Sequence, residues 1–255
     1  MNIRAQMKSG IELMSERISA SFWDEQYRNS GIHAPTDGDF WYYLDRGIEF
    51  FGGVSGKRVL DLGCGLGGNS IPLARMGASV TAIDTSEEAI DKLNHFAARE
   101  SLDITGLVCD AMEISNLGTF NFVVGAMILH HLEPFGEFCA SLDAAIKPAG
   151  KAFFYENNAK SRLLVWARKN LVGRFGIPKF GDDTEFPLTP HELDLLRSRF
   201  NLFVEVPEMV LFTMAGVYLF RNKGQIIFRT IDELLFRLNF LKSWSYRQIL
   251  FLEKY

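Results

Sequence analysis

A chain of 255 residues that is 47% hydrophobic and 13% aromatic has ample material for a buried core, which excludes the polar, aromatic-poor signature of disorder. Its formal net charge of −4 argues against a dedicated nucleic-acid binder, which would carry a basic excess. Cys64, Cys109 and Cys139 are odd in number and form no CxxC pair, which argues against a disulfide framework or zinc site and suits a reducing cytoplasm.

Residues 1–50 read as a helical, aromatic cap, with Phe22, Trp23, Tyr27, Phe40, Trp41, Tyr42 and Tyr43. A regular alternation follows over 57–156. Lys57–Leu62 is a short apolar strand, then come glycines and a helix through about Met76. Ser79–Asp84 is a second strand. Ser86–Glu100 is an amphipathic helix that Ser86 can cap, with Ala89, Ile90, Leu93 and Ala97 on its buried face. Ile104–Cys109, Phe120–Gly125 and Lys151–Tyr155 read as further buried strands, so right-handed βαβ units should build a parallel sheet covered on both faces.

Segments 157–188 and 213–243 are too long for slack in a compact domain and read as lids. Between them Thr189-Pro190-His191-Glu192 spells a capping box with proline at the first helical position, predicting a helix to about Phe200. Asn201–Phe212 and Ser245–Lys254 are the expected last strands. The N-terminus has no signal-like apolar run, and Met209–Phe220 is about 12 residues against the roughly 20 of a spanning helix. The expectation is one soluble, cytoplasmic domain over 1–255, at most peripheral to a membrane.

The densest motif is VLDLGCGLGG at 59–68. A strand running into Gly63-x-Gly65-x-Gly67 lets backbone turn tightly and approach a ligand where a Cβ would clash. The same residues satisfy Gly63-x-Gly65-x-x-Gly68, so the glycines alone fit a nicotinamide dinucleotide as well as an adenosyl sulfonium. The acids separate the two. Asp61, two residues before the first glycine, would repel a pyrophosphate and attract an α-ammonium. Asp84, ending the second strand, can accept ribose hydroxyls, and Asp110 ends the third beside Ala111.

These segments resemble the class I S-adenosylmethionine-dependent methyltransferases of small-molecule type over about residues 57–156. VLDLGCGLGG is similar to motif I, VTAIDTSEEAI to motif II with its ribose acid, CDAMEI to the adenine motif, and FNFVVGAMILHHLEP to motif IV. The resemblance implies an α/β, Rossmann-like sheet of seven strands in the order 3-2-1-4-5-7-6, the last antiparallel. It implies S-adenosyl-L-methionine as cofactor, held by Tyr27, Asp61, Gly63, Cys64, Gly65, Gly67, Asn69, Asp84, Thr85, Asp110, Ala111, Met112 and Ala126. Phe22-Trp23-Asp24 with Tyr27 is similar to the aromatic helix that covers the cofactor in such enzymes.

Methyl transfer from a sulfonium needs an aimed acceptor and, for a hydroxyl, amine or acidic carbon, a base. His131 and His130 follow the fourth strand and are the candidates, with loop ordering as their plainer role. Glu156 could orient the acceptor. Gly125-Ala126 stand where metal-dependent relatives supply a carboxylate, so no metal is expected.

The expected acceptor is small and hydrophobic, lipid-like or aromatic, because basic residues alternate with Leu, Trp and Phe through both lids. Residues 1–150 carry −9 and 151–255 carry +5. The lids can therefore be packed helices with solvated basic faces or a greasy tunnel resting on anionic lipid. Two rival functions stand beside methyl transfer: an NAD(P)-dependent oxidoreductase, and a regulator that binds the adenosyl cofactor without turnover.

Overall fold

The structure, a computed structural model, describes residues 20–32, 41–160, 162–171, 174, 187–220 and 223–255. The remaining parts of the expected cap and of the 157–188 lid, including Phe40 and His33, lie outside the described residues.

Seven strands form one sheet: β1 (Arg58–Leu62), β2 (Ser79–Asp84), β3 (Ile104–Val108), β4 (Phe120–Ala126), β5 (Ile146–Asn157), β6 (Phe200–Glu205) and β7 (Arg247–Lys254). Their order is β3-β2-β1-β4-β5-β7-β6. Neighbours from β3 to β5 are parallel, whereas β7 runs antiparallel to both β5 and β6. Side chains alternate between faces with period two, so each buried strand feeds two cores. One core holds Leu60, Leu62, Val123, Phe154 and Leu250 under the helix α5 (Phe135–Ala145). The other holds Val59, Val80, Phe122, Phe153 and Phe251 under α2 (Trp41–Phe51), α3 (Ser70–Arg75) and α4 (Glu87–Glu100).

Helix α4 starts where its sequence says it should, with the Ser86 hydroxyl accepting from Ala89 N, and it buries Ala89, Ile90, Leu93 and Ala97. Residues 20–28 form α1 and Arg162–Asn170 form α6. Helix α7 (Pro190–Arg197) carries the expected capping box but ends before Phe200, which opens β6.

The expected strand Asn201–Phe212 is a correction: β6 stops at Glu205. Pro207 has no N–H for a ladder, and the backbone N–H groups of Phe212 and Thr213 donate instead to the buried Asp232 carboxylate at 2.9 and 2.7 Å. That carboxylate caps α8 (Leu211–Phe220) from the side of α9 (Gln225–Phe236) and closes them into a hairpin. A 3₁₀ turn (Asn239–Trp244) returns the chain to β7. No helix among the described residues is long and apolar enough to cross a membrane.

Candidate functional site

The strand order reverses between β1 and β4, and open α/β sheets bind ligands at the carboxyl ends beside such a switch point. Asp61, Asp84 and Asp110 lie at or just past the ends of β1, β2 and β3. Asp61 is fully buried and accepts from Ser70 Oγ at 2.6 Å and Asn69 Nδ2 at 3.2 Å. Burial pushes its carboxyl up to about 6, against the pull of those two bonds and with help from the Asp84 charge.

Asp84 is partly buried. Its two oxygens accept from Gly65 N at 2.8 Å and Ser86 N at 3.0 Å, and burial raises its pKa despite those bonds. Asp110 caps the 3₁₀ turn Ala111–Leu117 through Met112 N at 2.7 Å, with Ala111 buried and Met112 partly so. Cys64 is buried, its N–H on Ile83 O, while Thr85 is exposed.

The glycines are required by shape. Gly65 has φ +48°, and a Cβ there would lie 2.8 Å from the Tyr27 hydroxyl. Gly67 has φ +86°, and its Cβ would lie 2.5 Å from Leu93, so this glycine sets how closely α4 approaches the loop. Gly63 faces Ile128 across the loop.

Tyr27 comes from α1, which is clamped to α4 at two points. Asp24 accepts from Ser86 Oγ and Glu88 N, and Lys92 Nζ donates to the carbonyls of Tyr27, Arg28 and Ser30 at 2.7, 2.9 and 3.0 Å. A lysine at the last carbonyls of a helix satisfies acceptors that the helix cannot. Burial, then the Asp84 and Cys64 charges, raise the Tyr27 hydroxyl above its ordinary value, so it stays protonated over the glycine loop.

On the far side of the switch point, β4 ends at Ala126 and Met127 takes φ +58°, a left-handed conformation that non-glycine residues rarely adopt. The turn after it hangs on Glu156. This fully buried carboxylate accepts from Ile128 N at 2.7 Å and Leu129 N at 2.6 Å, and pairs with His130 Nδ1 at 2.7 Å. Glu156 and His130 thus face each other inside the fold. His131, partly exposed, packs at 4.2 Å from the His130 ring and edge-on to Trp23 of α1 at 6.2 Å.

A second group of residues was not legible in the sequence. Tyr43 of α2 donates to Asn69 Oδ1 at 3.1 Å and stacks on Tyr155 with centroids 4.7 Å apart. Tyr155 donates to Glu208 at 2.7 Å. Arg247, at the start of β7 and opposite Asn157, places its guanidinium 5.6 Å over the Tyr155 ring and bonds Asn157 Oδ1 and Met127 Sδ. These contacts join residues up to 120 positions apart, and the antiparallel β7 brings Arg247 to this end of the sheet. The described residues contain no group of His, Cys, Asp or Glu that could hold a metal ion.

The residues fit S-adenosylmethionine. The left-handed glycines leave no Cβ between Tyr27 and the loop. The Asp84 carboxylate can accept ribose hydroxyls, Asp61 offers the charge an α-ammonium needs, and the Asp110–Met112 turn lies beside them for the base.

Comparison with known proteins agrees. Residues 59–150 match the family model described as a methyltransferase domain. A ubiquinone biosynthesis O-methyltransferase of Rickettsia bellii is 27% identical over 203 residues, covering 78% of this chain and 84% of its own. One from Caulobacter vibrioides is 29% identical over 187 residues, 69% and 74% of the two chains. Among solved structures, the fold is shared with magnesium protoporphyrin IX methyltransferase from Synechocystis PCC 6803 with bound SAH. That likeness has a TM-score of 0.62 at 16% identity and covers 96% of this chain and 100% of the other.

Proposed function

Because the chain is a class I S-adenosylmethionine-dependent methyltransferase, we propose that it methylates a hydroxyl oxygen of a small, hydrophobic acceptor, with His131 taking the proton. The oxidoreductase alternative gives way to the family assignment. The bound cofactor supplies the methyl group as an electrophile on a sulfonium sulfur. As the oxygen–carbon bond forms, the acceptor's proton passes to an imidazole nitrogen of His131.

The observation that carries this reading is the Glu156 clamp. Two backbone N–H groups and the His130 ring are tied to one buried carboxylate. The next residue, His131, is therefore held at the edge of the site against Trp23 rather than on a mobile loop. Glu156 and His130 act as positioning residues. The O-methyltransferase names of the relatives support an oxygen acceptor, and their pathway name supports a lipid-like aromatic one.

The helical hairpin supports a lipid-facing acceptor as well. Ile226 is 84% exposed, Phe240 74% and Ile227 65%, among Lys223, Arg229, Arg237 and Lys242. A basic, apolar face of this kind suits the surface of an anionic bilayer and supports that reading.

The test uses a long-chain alkylcatechol as acceptor. His131→Ala should lower kcat by about 10²–10⁴-fold, the usual share of general-base catalysis, with little change in cofactor affinity. His131→Asn keeps hydrogen bonding without basicity. If Asn restores most of the activity lost in Ala, His131 orders the turn and is not the base.

A further inference from the structure

We propose that Arg247 recognises an anionic oxygen on the acceptor, a carboxylate or an ionised phenol on the ring that bears the methylated hydroxyl. The proposal rests on the reading that the acceptor lies over the ends of β4 and β5, and it adds a chemical requirement to that reading.

The placement comes from topology. β7 is antiparallel, so its first residue lies at the carboxyl end of the parallel strands, opposite Asn157. From there Arg247 Nη1 crosses β5 to reach Met127 Sδ at 3.2 Å, at the strained residue that ends β4. The guanidinium also closes a continuous ledge. Asp61 bonds Asn69, Asn69 bonds Tyr43, Tyr43 stacks on Tyr155, and Arg247 lies over the Tyr155 ring. The Asp61 carboxylate stands at the cofactor end of this ledge; at the other end Arg247 lies over the Tyr155 ring, whose hydroxyl donates to Glu208.

Among the described residues the Arg247 guanidinium meets only neutral acceptors and the face of the Tyr155 ring. Its two hydrogen bonds both leave from Nη1, one to a neutral amide oxygen and one to a thioether, itself a weak acceptor. Among the described residues no carboxylate pairs with it. A neighbouring base at this end of the sheet is paired: Arg46 forks onto Glu205, which lies opposite Ile249 of β7, at 2.8 Å. A partly buried guanidinium without a counter-ion keeps the cost of desolvation, and a planar oxyanion arriving as ligand removes it through bidentate, charge-assisted bonds. Nε and Nη2 remain available for such a fork. A lysine would present a point charge instead, which is why the residue type matters.

The experiment measures binding by calorimetry with S-adenosylhomocysteine present, using three catechols of similar size: 3,4-dihydroxybenzoate, 4-nitrocatechol and 4-methylcatechol. They present a carboxylate, an acidic phenol and neither. The wild type should bind at least one of the first two on the order of ten-fold more tightly than 4-methylcatechol, as expected for one charge-assisted pair. Which one it prefers identifies the source of the oxyanion. Arg247→Gln should bring that ratio to about one, and Arg247→Lys should keep only part of it.

Equal binding of all three by the wild type overturns the proposal. So does no binding of any, or an equal loss for all three in Arg247→Gln. Because the readout is affinity, a chain that binds the acid selectively but needs no base at His131 upholds Arg247 while refuting the catalytic reading.

Discussion

Burial pushes the Asp61 carboxyl up to about 6, although Ser70 and Asn69 both donate to it, so at neutral pH the fold holds an ionised group that the unfolded chain hydrates better. The sign follows from linkage. Between about pH 4 and pH 6 the folded chain keeps a proton that the unfolded chain has released, so this group's contribution to stability declines as pH rises through that window and stays reduced above it. Asp61→Asn should therefore stabilise the ligand-free protein at pH 7–8 by up to about 3 kcal/mol, a gain that fades toward pH 4 in denaturant titrations. The same substitution should weaken S-adenosylmethionine binding, since the charge opposite the ammonium is gone. A variant that is less stable at pH 8 and binds normally would remove Asp61 from this role. The sequence placed Asp61 before the glycines and made its charge legible. It could not show the complete burial, because Ser70 and Asn69 become donors only once α3 packs back on β1.

Among the elements, α1 is the clearest case of structure that local pattern cannot reveal. Its aromatic residues were legible as a cover, but the clamp depends on Lys92 and Ser86, which lie some 60 residues away in sequence on α4. Strands β1 to β4 were legible to within a residue, because continuous apolar runs bounded by glycines and acids leave little choice, whereas β5 starts at Ile146, five residues before the expected Lys151. β6 was overextended because Val204, Val206 and Met209 to Phe212 are apolar whatever their backbone does. The stop comes from Pro207 and from the distant Asp232. Lys92→Met retains the side chain's length and removes the ammonium that binds the carbonyls of Tyr27 and Arg28 at the end of α1 and of Ser30 just past it. Its expected effect is a several-fold rise in the dissociation constant for S-adenosylhomocysteine and faster proteolysis within residues 20–32. Global stability should shift by no more than about 1 kcal/mol, since α1 is peripheral to both cores. Unchanged affinity together with unchanged cleavage would show that the clamp does not hold the cover.

At the scale of the whole molecule the charge is divided: the first 150 residues carry −9 and the rest +5, with the basic excess on the segments that also expose Ile226, Ile227 and Phe240. If that surface meets a bilayer, the protein should co-sediment with anionic vesicles and not with neutral ones, and the bound fraction should fall with added salt. Each basic residue near the surface contributes on the order of 1 kcal/mol. Reversing Arg229 and Arg237 to Glu should release it. Equal sedimentation with both vesicle types, or none with either, would leave the hairpin as a packed cover only. Trp23 and Tyr27 stand one turn apart on a single short helix, the first against His131 and the second over the glycine loop. If spent cofactor lies under Tyr27 and the methylated product beside His131, the same gate shuts in both and one opening event frees them. The two departures share a clock, so a faster chemical step alone would leave turnover unchanged once that gate is the slowest event.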